Sequence, residues 1–285
     1  MKIFDCFMYF DESLLLDLRL NYLDKFVDKF IIIECNYNHK GEVKKPTFNK
    51  EKYKKFENKI EYVLLKDQPK NIERINVKDT ENETSDKYIL NAVKRENFQR
   101  NYIKNCLSEA ASNDWIIISD LDEIPNLEKV NLNTIKEKLI FFKQKMYYYK
   151  LNLLHKTLPW YGSKACKKKY FRSPQWLRTI KNKKYPIWRL DTIFSKNKYR
   201  DIFFVEDGGW HFSYIRTPES IQKKLKSYLH HIEYDQNPLD VTEIKRMMLE
   251  KKAIYDLKAD QRSNKFGSNE ILKILKISLF FLNKT

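Results

Sequence analysis

Two short runs with no polar interruption dominate the hydropathy pattern. Phe30-Ile31-Ile32-Ile33 is closed by Glu34, and Trp115-Ile116-Ile117-Ile118 is closed by Ser119-Asp120. Both are rich in β-branched residues. Continuous rather than alternating apolar character predicts strands buried on both faces of a largely parallel sheet. Tyr62-Val63-Leu64-Leu65 reads as a third strand between them. Asp11 to Phe26 has helical spacing, with Leu14, Leu15, Leu18 and Leu23 sharing a face, and Asn91 to Ala111 reads as the helix preceding the Trp115 strand. Downstream, Met146 to Leu154 and Asp191 to Phe194 read as strands, and Pro218 to Tyr234 and Val241 to Leu257 as helices. Asp67 to Asp86, polar and almost free of large apolar residues, reads as a surface loop. Strands alternating with helices predict an α/β fold. No internal repeat or low-complexity linker divides the chain.

Composition changes this picture in three ways. At 285 residues with 42% hydrophobic and 14% aromatic content, the chain can bury a large core and is not disordered along its length. With only five glycines, a glycine-rich phosphate loop is a poor candidate. The four cysteines (Cys6, Cys35, Cys106, Cys166) are widely spaced, which excludes a zinc ribbon or a Cys-x-x-Cys dithiol and makes a reducing compartment the expectation. Met1 to Phe10 carries Asp5 and lacks the apolar length of a signal peptide, and no run reaches the ~20 apolar residues of a spanning helix. A cytoplasmic protein, peripheral at a membrane at most, is therefore expected. Ile271 to Leu282, interrupted by Lys273 and Lys276, reads as a C-terminal helix that either packs on the domain or lies on a membrane surface.

The net charge of +17 is local. From Lys138 to Leu190 there are 15 Lys and Arg and no Asp or Glu, interleaved with Trp160, Tyr161, Tyr170, Phe171, Trp176, Tyr185 and Trp188. The remainder is nearly balanced. That segment is either a solvated basic surface or a groove for an anionic or sugar-bearing partner.

The strongest chemical signal is Ser119-Asp120-Leu121-Asp122-Glu123 at the end of an apolar strand. Open α/β sheets bind ligands at the carboxyl ends of their strands, and a hard divalent cation takes carboxylate oxygens and shares itself with substrate phosphates. The bland alternative is a pair of carboxylates capping the next helix. Two enzyme classes place Asp-x-Asp after a strand. In haloacid-dehalogenase-type phosphatases the first Asp is a nucleophile and usually opens the fold. In nucleotide-sugar glycosyltransferases of the GT-A type, the pair holds Mn²⁺ or Mg²⁺ against a donor diphosphate after an N-terminal nucleotide-binding half. The hundred or so residues before Asp120 fit the second class.

Dispersed matches make the resemblance specific. Phe4-Asp5-Cys6-Phe7, Leu15-x-x-Leu18-Arg19-Leu20, Val27 to Glu34, Gly41 to Pro46, Arg95 to Asn101, Ser119 to Pro125 and Gly209-Trp210-His211-Phe212-Ser213-Tyr214 occur in order. With Pro218, Ile221, Lys224, Leu225, Ser227 and His230, these resemble glycosyltransferase family 17. The resemblance implies a GT-A-type, Rossmann-like α/β fold with a mostly parallel central sheet and flanking helices. Its single domain would cover 1–260, with a donor-binding half to about 125, an acceptor half from 126, and a tail at 261–285 carrying an amphipathic helix.

It also implies inverting transfer of a sugar, N-acetylglucosamine by resemblance, from a UDP-sugar to a glycan or lipid-linked saccharide. Asp120 and Asp122 would hold Mn²⁺ or Mg²⁺, with Asp122 the direct ligand. His211 would either complete the coordination or serve as a buried hydrogen-bonded histidine. Glu123 would orient a ligand or touch the donor sugar. Arg95 or Arg100 would clamp the diphosphate or make a surface ion pair. Glu34 would either bind the donor or act as a salt-bridged carboxylate, and His230 would touch the nucleotide or lie on a helix surface. Asp207, then Glu206, would supply the base, or each would simply be a turn carboxylate. The rivals are a phosphatase with Asp120 as nucleophile and a nucleic-acid binder using the basic segment. The binder lacks any recognition-helix or RNA-binding signature, and no nucleic-acid partner is expected.

Overall fold

The computed structural model describes residues 1–186, 188–227, 238–254 and 271–273. Its first half is built as the apolar runs require. β1 (Ile3–Tyr9), β2 (Lys29–Cys35), β3 (Ile60–Leu65) and β4 (Trp115–Ile118) pair in parallel, in the spatial order β3-β2-β1-β4. Alternate residues serve two cores: Trp115 and Ile117 face one, Ile116 and Ile118 the other, and all four are fully buried. Burying each such side chain stabilises the fold by roughly 1.5–3 kcal/mol. One face is covered by α1 (Ser13–Leu23), through Leu15, Leu16, Leu18, Leu20 and Leu23. The other is covered by Ile103 and Leu107, which follow α2 (Glu81–Tyr102), and by Leu177 of α3 (Pro174–Thr179).

The sheet continues beyond β4 through β9 (Lys164–Lys167), β6 (Leu139–Phe142) and β10 (Ile202–Val205). β9 is antiparallel to both of its neighbours, whereas β6 and β10 are parallel. A second, mixed sheet orders as β12-β8-β7-β11-β5: β5 (Glu123–Pro125), β7 (Gln144–Tyr148), β8 (Leu153–Trp160), β11 (Gly209–Ser213) and β12 (Ile271–Lys273). Helices α4 (Pro218–Ser227) and α5 (Val241–Glu250) supply Ile221, Leu225 and Ile244 to a third core with Met146 and Tyr148.

Several sequence expectations need correction. α2 begins ten residues before Asn91, inside the expected loop, because Thr80 and Glu83 form a reciprocal capping box; it ends at Tyr102, short of Ala111. Leu14 is exposed, off the buried face of α1. The run from Met146 to Leu154 is two antiparallel strands, parted where Tyr149 takes a left-handed φ of 59°. Leu190–Thr192 is a short 3-10 turn rather than part of a strand. α5 stops at Glu250, where Lys251 takes a left-handed φ of 56°. Ile271–Lys273, expected to start a helix, is an edge strand on β8; the rest of that stretch, and Tyr228 to Tyr234, lie outside the described residues. All four cysteines are buried and free. Among the described residues, no helix is long and apolar enough to cross a membrane.

Candidate active site

Strands β1, β2 and β3 step outward in one direction, while β4 pairs with the opposite side of β1. The strand order therefore reverses between β1 and β4, the position where open α/β sheets form a ligand crevice. A cavity of about 470 Å³ opens there. Its walls come from the ends of β1 and β2, from α2, from the Asp120–Asp122 loop and from β7, β8 and β11 of the second sheet.

The loop that carries the carboxylates is tightly wound. The Asp120 amide donates to the Glu123 carboxylate at 2.7 Å, and the Glu123 amide donates to the Asp120 carbonyl at 3.0 Å. Directly after it, β5 pairs antiparallel with β11, setting Glu123 opposite His211, and the Phe212 amide donates to the Asp122 carbonyl. This pairing brings His211 to Asp122: Nε2 lies 3.8 Å from a carboxylate oxygen. The imidazole stacks on Trp160 with centroids 4.6 Å apart, and its Nδ1 is buried without a hydrogen-bond partner.

The cavity is rich in cations. Arg178 Nη2 donates to Asp120 at 2.8 Å, and its Nη1 donates to Glu123 at 2.5 Å and to the Gly162 carbonyl. Gly162 is required there, since an added Cβ would fall 2.0 Å from the Glu123 carboxyl carbon. Arg100 donates to Asp120 at 3.1 Å, to Glu96 and to Gln175. Lys224 Nζ lies 3.8 Å from Asp122 and 3.4 Å from Glu12. Burial opposes the ionisation of Asp120, but Arg178 and Arg100 outweigh it and hold the carboxyl below its usual range. Burial likewise opposes charge on Asp122, and His211 and Lys224 outweigh it. For His211, burial favours the neutral ring, yet Asp122 and then Glu123 carry its pKa above the ordinary value.

The donor set can be tested for a metal. His211 Nε2 and Asp122 face the same cavity 3.8 Å apart, and ligand bonds of about 2.1 Å to one octahedral cation would draw them to about 3 Å. Asp120 is already engaged by two guanidinium groups. Among the described residues, no cluster of three or more His, Cys, Asp or Glu is placed to hold a metal ion. Asp122 and His211 thus fit an open site, one that leaves positions for phosphate oxygens and water.

The cavity gathers Asp120, Asp122, His211 and Arg100, but not Glu34, Arg95, Glu123, Glu206 or Asp207. Glu206 and Asp207 lie outside it, largely exposed and ion-paired with Lys143 and Lys145. Glu34 is fully buried, and its carboxylate is used up by Lys44, Tyr62, Thr47 and the Phe48 amide, so it anchors the 44–48 loop rather than a donor. Arg95 donates to Gln68 and the His39 carbonyl, bracing a loop behind the wall. Glu123 sits beneath the floor, bonded to Trp160 and Arg178. His230 lies outside the described residues.

Sequence reasoning missed Arg178, which was one of 15 basic residues with nothing to set it apart. Glu12, His39 and Glu96 also line the cavity and were not singled out. Burial, more than any neighbour, keeps the pKa of His39 below the ordinary value.

Comparison with known families gives a match over nearly the whole given sequence. The model for Glycosyltransferase family 17 matches residues 1–276. No curated protein matches the chain significantly.

Proposed function

Because the chain belongs to glycosyltransferase family 17, we propose that its cavity transfers a sugar from a UDP-sugar donor, UDP-N-acetylglucosamine, to a glycan hydroxyl with inversion. In this reading the fold is GT-A-like, the domain runs to the end of the family match, and Mn²⁺ or Mg²⁺ is held by Asp122 and His211. The observation that carries the proposal is the meeting of Asp122, His211, Arg100, Arg178 and Lys224 in one cavity at the switch point of the sheet.

Transfer to a hydroxyl leaves a nucleoside diphosphate whose negative charge grows as the glycosidic bond breaks. When bound, the metal would supply Lewis-acid stabilisation of those oxygens. The chain's own cations act at the same place. Arg178 and Arg100 are fixed by Asp120 before any substrate arrives, and preorganised charge costs no rearrangement during the reaction. Asp120 is thus assigned to holding the arginines and Asp122 to the metal. Trp160, stacked on His211, gives the acceptor side a flat apolar face suited to a sugar ring. Glu206 and Asp207 are given no role in proton transfer. A phosphatase reading is disfavoured, since both oxygens of Asp120 are held by arginines.

Asp122→Ala is expected to lower transfer by about 100-fold or more, the scale for losing one element of charge stabilisation. The chain should be stabilised thermally by UDP-sugars with Mn²⁺ and not without it, and the variant should lose that dependence. Full activity in Asp122→Ala would overturn the metal assignment, and indifference to every nucleotide sugar would overturn the donor.

A further inference from the structure

Just after α3 delivers Arg178 to the cavity, the chain leaves the core and makes a protruding loop. Its base is closed by the Lys181 amide donating to the Asn197 carbonyl at 2.8 Å. Inside, Arg200 donates to Thr192 Oγ1 and to the Arg189 carbonyl, both at 2.6 Å, and Tyr185 and Thr192 are buried. The loop is therefore built, with its own polar framework.

What it displays is unusual for a water-facing surface. Trp188 is 79% exposed, Leu190 68%, Ile193 64% and Phe194 89%. Four large apolar side chains within seven residues form a patch that a monomer in water rarely leaves open. The same stretch of chain carries Lys181, Lys183, Lys184, Arg189, Lys196, Lys198 and Arg200. The one acid in the loop, Asp191, is neutralised by Arg189 and Lys198. Beside the patch a hollow of about 490 Å³ is lined by Lys138, Lys169, Arg172, Lys198 and Arg200 against one acid, Asp201, which pairs with Lys138, and Ile193 belongs to both.

We propose that this loop and the adjoining basic hollow dock the protein on an anionic lipid surface. Trp188, Leu190, Ile193 and Phe194 would enter the headgroup–acyl boundary, and the cations would meet lipid phosphates. Aromatic and aliphatic tips ringed by lysine are the composition that such an interface selects. Charge argues against a second copy as occupant, since a self-complementary contact would set one net basic loop, with Lys181, Lys183, Lys184 and Lys196, against another. The aliphatic Leu190 and Ile193 offer nothing to the bases or phosphates of a nucleic acid. The surface stands apart from the cavity, so it rests on no assignment of donor or metal.

The test is sedimentation of the full chain with vesicles of phosphatidylcholine, alone or mixed with phosphatidylglycerol, without nucleotide sugar or metal. Binding is expected with the anionic vesicles only, weakening as salt rises. Trp188→Ser/Phe194→Ser should reduce it about tenfold or more, given that each buried apolar group adds to interfacial affinity. Lys183→Glu/Lys184→Glu should reduce it while steepening no other property, with thermal melting unchanged in both variants. Tryptophan quenching by brominated lipid should be lost in Trp188→Phe. Equal binding to neutral and anionic vesicles, or to neither, would overturn the proposal. So would a concentration-dependent dimer, or retention of single-stranded DNA, that Trp188→Ser/Phe194→Ser abolishes.

Discussion

Two arginines hold the same loop from opposite sides, and the contrast between them separates what folds this protein from what equips it. Beneath Ser119–Glu123 lies Arg19, fully buried with Asp5. Its Nε and Nη2 grip both Asp5 oxygens at 2.7 and 2.6 Å, Nη2 also reaches Ser119 Oγ, and Nη1 takes the carbonyls of Asp120, Leu121 and Glu123. Above the loop, Arg178 binds the side chains of Asp120 and Glu123, takes no backbone group of the loop itself but the Gly162 carbonyl beside it, and faces the cavity. The first arginine reads the backbone and fixes its shape. The second reads carboxylates and can exchange one anion for another. A buried guanidinium with every donor used is a structural pin, whereas one that opens onto a cavity is available to a diphosphate.

The sharpest way to break the comparison is to remove each arginine in turn. Arg19→Met would leave Asp5 charged and alone in the core, a loss of about 3–5 kcal/mol. Chemical denaturation should show that loss, or the variant should fail to accumulate as folded protein. A melt close to wild type would mean the loop keeps its shape without the pin, and the distinction would collapse.

Arg178→Ala should do the reverse. Asp120 opens onto the cavity, where water can take over its hydrogen bonding, and buried Glu123 keeps Trp160 and the Asp120 amide, so stability should fall by only about 1–3 kcal/mol. Transfer should fall about 100-fold, as expected for removing a preorganised charge from the leaving group. Arg178→Lys should recover little, because one ammonium cannot span Asp120, Glu123 and the Gly162 carbonyl together. Steady-state kinetics beside a denaturation curve decides the matter. If Arg178→Ala unfolds as readily as Arg19→Met, both arginines are structural.

The same contrast explains which parts of the site could be read from sequence. Strands β2 and β4 were legible because burial on both faces demands unbroken apolar runs, and the carboxylates were legible because they end such a run. The pin was half legible, since Arg19 lay within the resemblance but nothing in its neighbours announced Asp5 as partner. Arg178 was not legible: its role comes from α3 docking against the sheet, a contact no local spacing encodes. Of the two readings of Asp207 and Glu206 the turn carboxylate is the one the structure shows, because both sit in the exposed turn between β10 and β11, paired with Lys145 and Lys143. The second sheet was mostly missed because strands as short as β5 and β11 carry no periodicity. The early start of α2 was written in Thr80 and Glu83, and was overlooked because the helix face that follows them is polar.

A third buried cation sharpens the comparison further. Lys164, 2% exposed, donates to the carbonyls of Arg178 and Ile180 at 2.8 and 2.5 Å and lies over the Phe141 ring. It ties down the end of α3 that carries Arg178, yet it has carbonyls where Arg19 has a carboxylate. Burial, and then repulsion from Arg178, lower its pKa from 10.5 to about 7, with Glu123 pulling the other way. In the unfolded chain the amine keeps its proton up to its ordinary pKa. Between pH 7 and 10.5 the unfolded state therefore binds the extra proton, and stability should rise with pH, by at most about 1.4 kcal/mol per unit. Below that window both states are protonated and the slope from this group vanishes. Urea midpoints measured from pH 7.5 to 9.5 should climb in the wild type relative to Lys164→Met, a range chosen to lie inside that window. Parallel curves would mean that two carbonyls are enough to keep a buried ammonium charged, and that a carboxylate partner is not what distinguishes the pin beneath the loop.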